Sequence, residues 1–455
     1  MRIDAEFFGK SFLDVAGCLK QIQTEALTKV ASISDGNHFS ISDEFQEEGI
    51  PYYRGQDATG HFFIEQAQPV YIPYQAFALP YMRRSHLRKG DALLSIVGTI
   101  GELSLVSSES EATCSCKLAI LRPQTIKSGY LSVFLKSRYG QYQIHRLTRG
   151  AVQMGLLLED MDQINIPRFP VELEEAIEKS VHGAKIFLDN SIRYYRHAEQ
   201  TLLRALGLED WQPPEVLTYE RKAGDVCAAG RLDAEHFQPK YDELIRKLSI
   251  VNSVDLRPIK YFSEPLKYGT SEKLVYEAEG IPFLRIADLD NKRFNPQSVQ
   301  YISKTQASSI SDRVSLGDVL VSRSGTLGLA VPITEPFNNA VFGSYFIRTR
   351  PDRKVIHPEF MSLFINSLAG QLQVHQKSTG GVQMNLTIEA IENICIPIGN
   401  LRWQQSFVDL VEQSLAARKR AHFLLDQAKR AVEIAIEKNE EAAMAFLKQS
   451  QESSL

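Results

Sequence analysis

Cysteine and tryptophan are scarce in this chain, with five and two residues in 455. Cys18, Cys114, Cys116, Cys227 and Cys395 are too scattered for a disulfide framework, and no pair has the C-x-x-C spacing of a structural zinc site. That usage points to a reducing, cytoplasmic compartment. No apolar run reaches the ~18 residues of a spanning helix, and the opening MRIDAEFFGKSF has acidic residues where a signal peptide would be apolar. Membrane spanning and secretion are therefore disfavoured. The chain also lacks a Walker A sequence, an H-E-x-x-H pair, a G-x-S-x-G elbow and a G-x-G-x-x-G loop. Asn295-Pro296-Gln297 lacks the second proline and the aromatic of the amino-methyltransferase signature. The ten histidines, among them His38, His61, His86, His145 and His375, form no ligand-like pair at helical spacing. Glu264-Pro265-Leu266-Lys267 is only loosely like the acidic half of a nuclease site. The expectation is a chain that is not itself an enzyme and binds no metal or cofactor of its own.

What is present is a folded-protein composition: 44% hydrophobic, 23% charged, 51 Lys+Arg against 55 Asp+Glu, net charge −4. Single cores rarely exceed ~250–300 residues, so this length implies two or more domains. The small net charge hides local excess. Residues 80–155 hold eleven basic side chains, including Arg83, Arg84, Arg88, Lys117, Arg122 and Arg149, against four acidic ones, a local +7. Two readings stay open: a phosphate-facing region, or a solvated basic surface balanced by acidic neighbours.

The chain also repeats itself. Arg2-Ile3-Asp4-Ala5-Glu6-Phe7-Phe8 matches Arg231-Leu232-Asp233-Ala234-Glu235-His236-Phe237, and Gly49-Ile50-Pro51-Tyr52-Tyr53-Arg54 matches Gly280-Ile281-Pro282-Phe283-Leu284-Arg285. Gly90-Asp91-Ala92-Leu93-Leu94-Ser95, with Gly98-Thr99-Ile100-Gly101, matches Gly317-Asp318-Val319-Leu320-Val321-Ser322, with Gly325-Thr326-Leu327-Gly328. Gly150-Ala151-Val152-Gln153-Met154 matches Gly380-Gly381-Val382-Gln383-Met384, and each precedes an Ile-x-Ile-Pro element ending at Pro167 or Pro397. The displacements run from 227 to 231 residues, so one whole domain is duplicated, unlike the ~20–50-residue units of solenoids.

Each copy reads as α+β. Strands are expected at 92–97, 116–121, 318–322 and 345–349, with a helix after each set at 129–147 and 358–376. After each copy the apolar period becomes helical. Leu173, Ile177, Val181, Ala184, Leu188, Ile192, Tyr195 and Leu202 mark a long amphipathic helix over 171–206, with Pro213-Pro214 as its stop. Trp403, Phe407, Val411, Leu415, Ala421, Leu424, Ala428 and Val432 mark a second, continuing to about Leu447. The two stripes are expected to pair as an antiparallel coiled coil, in preference to each packing on its own domain. The resulting division is an N-terminal repeat segment at 1–25, a first domain at 26–168, a central helix and connecting segment at 169–250, a second domain at 251–398, and a distal helix and tail at 399–455.

The repeats carry residues suited to holding a polymer. The Ser-x-x-Gly-Thr-x-Gly turns at 95–101 and 322–328 combine hydroxyls with glycines that admit close backbone approach: Gly98 and Thr99 in the first, Ser324, Gly325 and Thr326 in the second, which adds Arg323. The stretches containing Arg149 and Gln153, and Thr379, Gly380, Gln383 and Asn385, add amides whose donor–acceptor pair matches the major-groove edge of adenine. The same stretches also suit plain strand connections.

The order Tyr268-Gly269-Thr270-Ser271, Glu279-Gly280-Ile281-Pro282-Phe283-Leu284-Arg285-Ile286, the Gly317–Gly328 block, Gly381-Val382-Gln383-Met384-Asn385-Leu386 and Ile394-Cys395-Ile396-Pro397 resembles the target-recognition domain of type I restriction-modification specificity subunits. Both halves carry the series, so the resemblance spans nearly the whole chain. It implies two target-recognition domains, each reading half of a split double-stranded DNA sequence and held apart by an antiparallel pair of long helices. It implies a non-catalytic role beside two modification subunits that use S-adenosylmethionine to methylate a flipped adenine, and restriction subunits that use ATP and Mg as further partners. It extends the DNA-contacting set to Tyr268, Thr270, Ser271 and Arg285, with Asn37, His38 and Arg54 in the first copy and Arg83 and Arg84 from the basic segment. The first copy has Asp35-Gly36-Asn37-His38-Phe39-Ser40 in place of Tyr268-Gly269-Thr270-Ser271, and Ile96-Val97 in place of Arg323-Ser324. Different half-targets require such differences, so an asymmetric site is expected. The competing expectations are a duplicated scaffold gripping a symmetric protein partner, and a nuclease or methyltransferase with an unfamiliar site.

Overall fold

The computed structural model describes residues 6–150, 154–296, 298–381 and 384–452. It forms two compact units that do not follow chain order: one is Met1–Asn190 with Ala417–Leu455, the other Ser191–Ala416.

The first unit is built on a four-stranded antiparallel sheet in the order Ala31–Asp35, Leu118–Pro123, Ala92–Ser95, Leu103–Leu105. A smaller sheet orders Val70–Ile72, Ile50–Tyr53 and Thr113–Cys114, its last pair parallel. The expected strand runs fall on these sheets, with ALLSIV shortened to Ala92–Ser95. The single helix expected over 129–147 is two helices, Ser128–Lys136 and Arg138–Leu147. Ser137 between them has ψ 162°, and its hydroxyl donates to Phe134 O (2.6 Å) while accepting from Gly140 N (3.4 Å). It thus closes one helix and caps the next. The Ile-x-Ile-Pro element contains the strand Asn165–Pro167, which pairs antiparallel with Thr24–Ala26 and joins the two ends of the copy.

The second unit repeats this plan. Its main sheet is ordered Ser263–Tyr268, Phe346–Pro351, Val319–Ser322, Ala330–Pro332, and Asp255–Pro258 pairs with Cys395–Ile398. Its helices Pro358–Asn366 and Leu368–Lys377 again break at a serine, Ser367. Here a Cβ on Gly370 would lie 2.3 Å from Phe364 O, so only glycine permits so tight a junction.

The long helices run Val171–Ala205 and Leu401–Glu437. The first ends before Pro213-Pro214, at Gly207, whose φ of +68° turns the chain while Leu208 N donates back to Leu203 O (2.8 Å). The second breaks before Leu447 because Asn439 accepts from Ala442 N (2.9 Å) and starts a separate helix, Glu440–Glu452. The helices pack together antiparallel: Gly183 approaches Leu424, and eight residues later Ser191 meets Ser414 (Oγ–Oγ 3.1 Å). In the first unit Leu173, Ile177, Val181 and Ala184 share a core with Tyr130, Phe134, Ala428 and Val432. In the second unit Ala198 and Leu202 share one with Phe360, Phe364, Phe407 and Val411.

Within each copy the Gly-Asp motif has a structural reason. Asp91 and Asp318 are each 1% exposed. Each accepts a backbone N–H three residues upstream and a two-point contact from an arginine on the neighbouring strand: Arg122 at 2.7 and 2.7 Å, Arg350 at 2.7 and 2.9 Å. The carboxylates hold both guanidiniums charged above their ordinary range. Asp318→Ala removes the acceptor for Arg350 and Ser315 N. It is expected to lower the urea midpoint by an amount equivalent to ~3 kcal/mol, the low end for breaking a buried pair because Arg350 is partly solvated. An unchanged midpoint would remove this pair from the framework.

Candidate nucleic-acid interface

In the second unit, three stretches distant in sequence meet at one sheet end. Arg323 N donates to Tyr345 O (2.8 Å), and Leu386 N donates to Arg323 O (2.9 Å). Thr379 and Asn385 pair through both backbone bonds, at 3.0 and 2.8 Å, which closes the 379–385 hairpin against the turn. The Arg323 guanidinium stands 4.9 Å from the Tyr268 ring centre and its Nε donates to Leu386 O (3.2 Å). Tyr268 Oη accepts from Ile388 N (3.3 Å), and Thr270 O accepts from Ser344 N (2.9 Å). Tyr268, Thr270, Arg323 and Asn385 are thus brought together. Ser271, Gly325, Thr326, Thr379 and Gly380 are exposed around them, whereas Ser324 is buried.

Ser322–Gly328 is a tight loop with one anchored end. Gly328 N donates to Ser322 O (2.8 Å), and Gln371 donates to Gly328 O (3.1 Å). A Cβ at Gly328 would lie 2.4 Å from Val374 Cγ1, while one at Gly325 would meet nothing within 4 Å. The second glycine is clamped on the helix and the first stands at the open tip.

The first unit builds the same platform from different side chains. Gly101 N donates to Ser95 O (3.1 Å) and Gln141 donates to Gly101 O (2.9 Å). Leu156 N donates to Ile96 O (2.9 Å), and Arg149 pairs with Gly155 across the hairpin at 2.8 and 2.7 Å. Gly98 and Thr99 are exposed at the tip, with Thr99 Oγ1 3.1 Å from Ser95 Oγ and 3.4 Å from Gly55 O. Asn37 is 2% exposed and its amide is engaged with Phe39 on both sides (2.9 and 3.0 Å), so it shapes the loop while His38 faces outward. Arg84 and His38 both bond Asp35, the latter at 2.5 Å. Arg83 is exposed beside them, and Phe39 and Tyr81 form an exposed ring pair at 4.4 Å. Asp35, Tyr81 and Tyr345 were not marked by sequence; Asp35 and Arg84 lie 49 residues apart, with no motif linking them.

Arg54 and Arg285 follow strands that border these platforms, Gly55 O lying 3.4 Å from Thr99 Oγ1 and Leu284 O accepting from Gly343 N (3.0 Å), but their guanidiniums are tied to carboxylates. Each starts a short helical turn, its backbone N donating to Asp57 (2.7 Å) or Asp288 (2.8 Å) while its guanidinium bonds the same carboxylate. This is a framework role for the Gly-Ile-Pro-x-x-Arg motif. Gln153 and Gln383 lie outside the described residues.

Three of the basic residues behind the local +7 meet carboxylates from outside that window, and a fourth meets one inside it. Arg84 meets Asp35, Arg149 meets Asp160, Arg138 meets Glu437 (2.8 Å), and Arg122 meets Asp91. Lys136 is half-buried as a residue, but its amine points inward to Leu103 O (2.7 Å) and His61 O (3.2 Å). Burial pushes it down to about 8, with Lys429 adding in the same direction and Glu102 opposing. Among the described residues no group of three His, Cys, Asp or Glu side chains is placed to hold a metal ion.

Residues 267–419 match the family model of the type I restriction modification DNA specificity domain. The first unit repeats the main sheet, the turn and the hairpin of that matched segment. A curated relative is the type I restriction enzyme EcoBI specificity subunit of Escherichia coli, 25% identical over 217 residues. The match spans 45% of this chain and 45% of the relative, so it covers about half the length of each. Among solved structures, the type I S subunit from M. genitalium aligns at 13% identity and TM-score 0.38 over 94% of this chain and 95% of that one. The HsdS subunit from Thermoanaerobacter tengcongensis aligns at 15% identity and TM-score 0.30, over 95% and 97%.

The Lys136 amine gives a pH signature. Its folded value, about 8, lies below the ordinary 10.5. Between those values the unfolded chain holds a proton that the folded chain has lost, so this group makes stability rise with pH across that window. The stability difference between the native chain and Lys136→Met, measured by urea unfolding, should therefore shift in favour of the native chain from pH 7.5 to 10.5. A difference independent of pH would contradict the depressed amine.

Proposed function

We propose that this chain selects the DNA sequence for a type I restriction-modification complex, each unit reading one half of a split, asymmetric target. The observation that carries this reading is the duplicated platform of turn, hairpin and strand end, built from the same backbone bonds but with Arg323, Tyr268 and Thr379 in one unit where the other has Ile96, Asp35 and Arg149. A shared backbone with unlike side chains is what two different half-sites require, since sequence information resides in side-chain contacts to base edges.

In this reading the chain is a recognition subunit without catalytic groups. Two modification subunits supply S-adenosylmethionine-dependent adenine methylation, restriction subunits supply ATP- and Mg-dependent cleavage, and the complex works on cytoplasmic DNA. No helix among the described residues is long and apolar enough to cross a membrane, which agrees with a partner that is DNA. His38, Arg83, Thr99, Ser271, Thr326 and Thr379 are accessible at or beside the two platforms and are assigned to the DNA-facing set.

Sequencing of adenine methylation in cells with and without the chain, with the modification partner present in both, tests the proposal. The expected result is loss of methylation at one split motif with unlike halves. Unchanged methylation, or loss at a perfect palindrome, would contradict it.

A further inference from the structure

The strand registers carry the equivalence of the two Gly-Asp strands across to their neighbours. Asp35 pairs with Ala119, which also pairs with Leu94; Tyr268 pairs with Ile347, which also pairs with Val321. Leu94 and Val321 occupy the same place in the two Gly-Asp strands, so Asp35 and Tyr268 are the same position, at the end of an edge strand. Their side chains are unrelated, yet each holds a guanidinium. Asp35 holds Arg84, delivered by the helical segment Pro80–Ser85. Tyr268 holds Arg323, delivered by the turn after Val319–Ser322. The position equivalent to Arg323 in the first unit is Ile96, which is 7% exposed and part of its core. Two different chain routes thus bring an arginine to one point on the platform.

In both cases the arginine is held by the side chain at that position. Arg323 donates from Nε to Leu386 O and lies over the Tyr268 ring, two contacts that do not use its Nη groups. Arg84 is fixed by one oxygen of Asp35, whose other oxygen takes His38, and its side chain remains 55% exposed. A phosphate contact needs charge but little orientation. A carboxylate beside Arg84 would also repel phosphate oxygens. A flat, pre-oriented fork of donors instead matches two acceptors in one plane, and the major-groove edge that presents two acceptors is guanine O6 and N7.

We infer that Arg84 and Arg323 each read a guanine, one in each half-site, with Asp35 and Tyr268 as their positioning residues. This rests on the function proposed above. It assigns a base to each unit and gives one role to two side chains that sequence alignment does not pair.

The test is competitive selection of duplexes from a randomised library by the complex with its modification subunits, at fixed salt, for the native chain, Arg84→Lys, Arg323→Lys and Tyr268→Phe. The lysine variants keep the charge and lose the fork. Each is expected to reduce preference for guanine at one position of one half-site by roughly 5- to 150-fold, the equivalent of the 1–3 kcal/mol of a two-point base contact, and to leave the other half-site unchanged. Tyr268→Phe keeps the ring and is expected to keep the guanine. Uniform weakening on all sequences, an altered position that is not guanine, or unchanged selection overturns the inference while leaving the function standing. If the native chain itself selects no split motif, the function fails and this inference with it, and that is read before any variant.

Discussion

The apolar stripe on each long helix is the constraint on which the rest of the molecule depends. Residues 171–190 and 417–437 contribute to the first unit's core, and residues 191–205 and 401–416 to the second. The first unit is therefore built from two separate pieces of chain, and each unit takes helix from both copies of the repeat. Burying such stripes removes about one apolar side chain per turn of each helix from water, the large ones worth about 1.5–3 kcal/mol each when fully buried. Helices this polar on their outer face would be marginal without that burial.

On this frame the most recognisable motifs turn out to be scaffolding. The aspartates of the two Gly-Asp pairs are buried acceptors for Arg122 and Arg350, and the arginines that close the Gly-Ile-Pro-x-x-Arg motifs are tied to Asp57 and Asp288. Gln143 and Gln373, which no motif marked, each make a two-point contact to the backbone of the closing strand, at Asn165 (3.1 and 2.8 Å) and Cys395 (2.9 and 2.7 Å). Such groups recur because the same backbone must be satisfied twice. The surface that differs between the copies lies where the backbone is already held and side chains are released to vary: 35–39, 84 and 149 in one unit, 268–271, 323 and 379 in the other.

Much of this was legible in sequence, and what escaped has physical causes. The long helix over 171–206 was readable to within a residue because a 3.6-residue period sustained over ten turns admits no other structure. Its stop was assigned to Pro213-Pro214, whereas a left-handed Gly207 ends it, because such a glycine stops a helix as effectively as proline and has a weaker signature. The helix pairs meeting at Ser137 and Ser367 were read as single helices because the apolar period continues across a serine cap. The charge count over 80–155 overstated the free positive charge, since Asp35, Asp160 and Glu437 reach in from outside the window. A linear window cannot see such partners, and for the same reason the Asp35–Arg84 pair had no signal. The turn and hairpin segments stand out in sequence, but their convergence with Tyr268 and Tyr345 depends on sheet register, which only the fold supplies.

The account's central claim is that two copies of one backbone platform read two sequences independently. The most direct measurement is the methylation motif directed by a hybrid chain in which residues 251–398 are replaced by the matching segment of a type I specificity subunit of known target. The account predicts a motif that keeps one half unchanged and exchanges the other for the donor's half. A motif changed in both halves, or one that keeps both of its original halves, would contradict it.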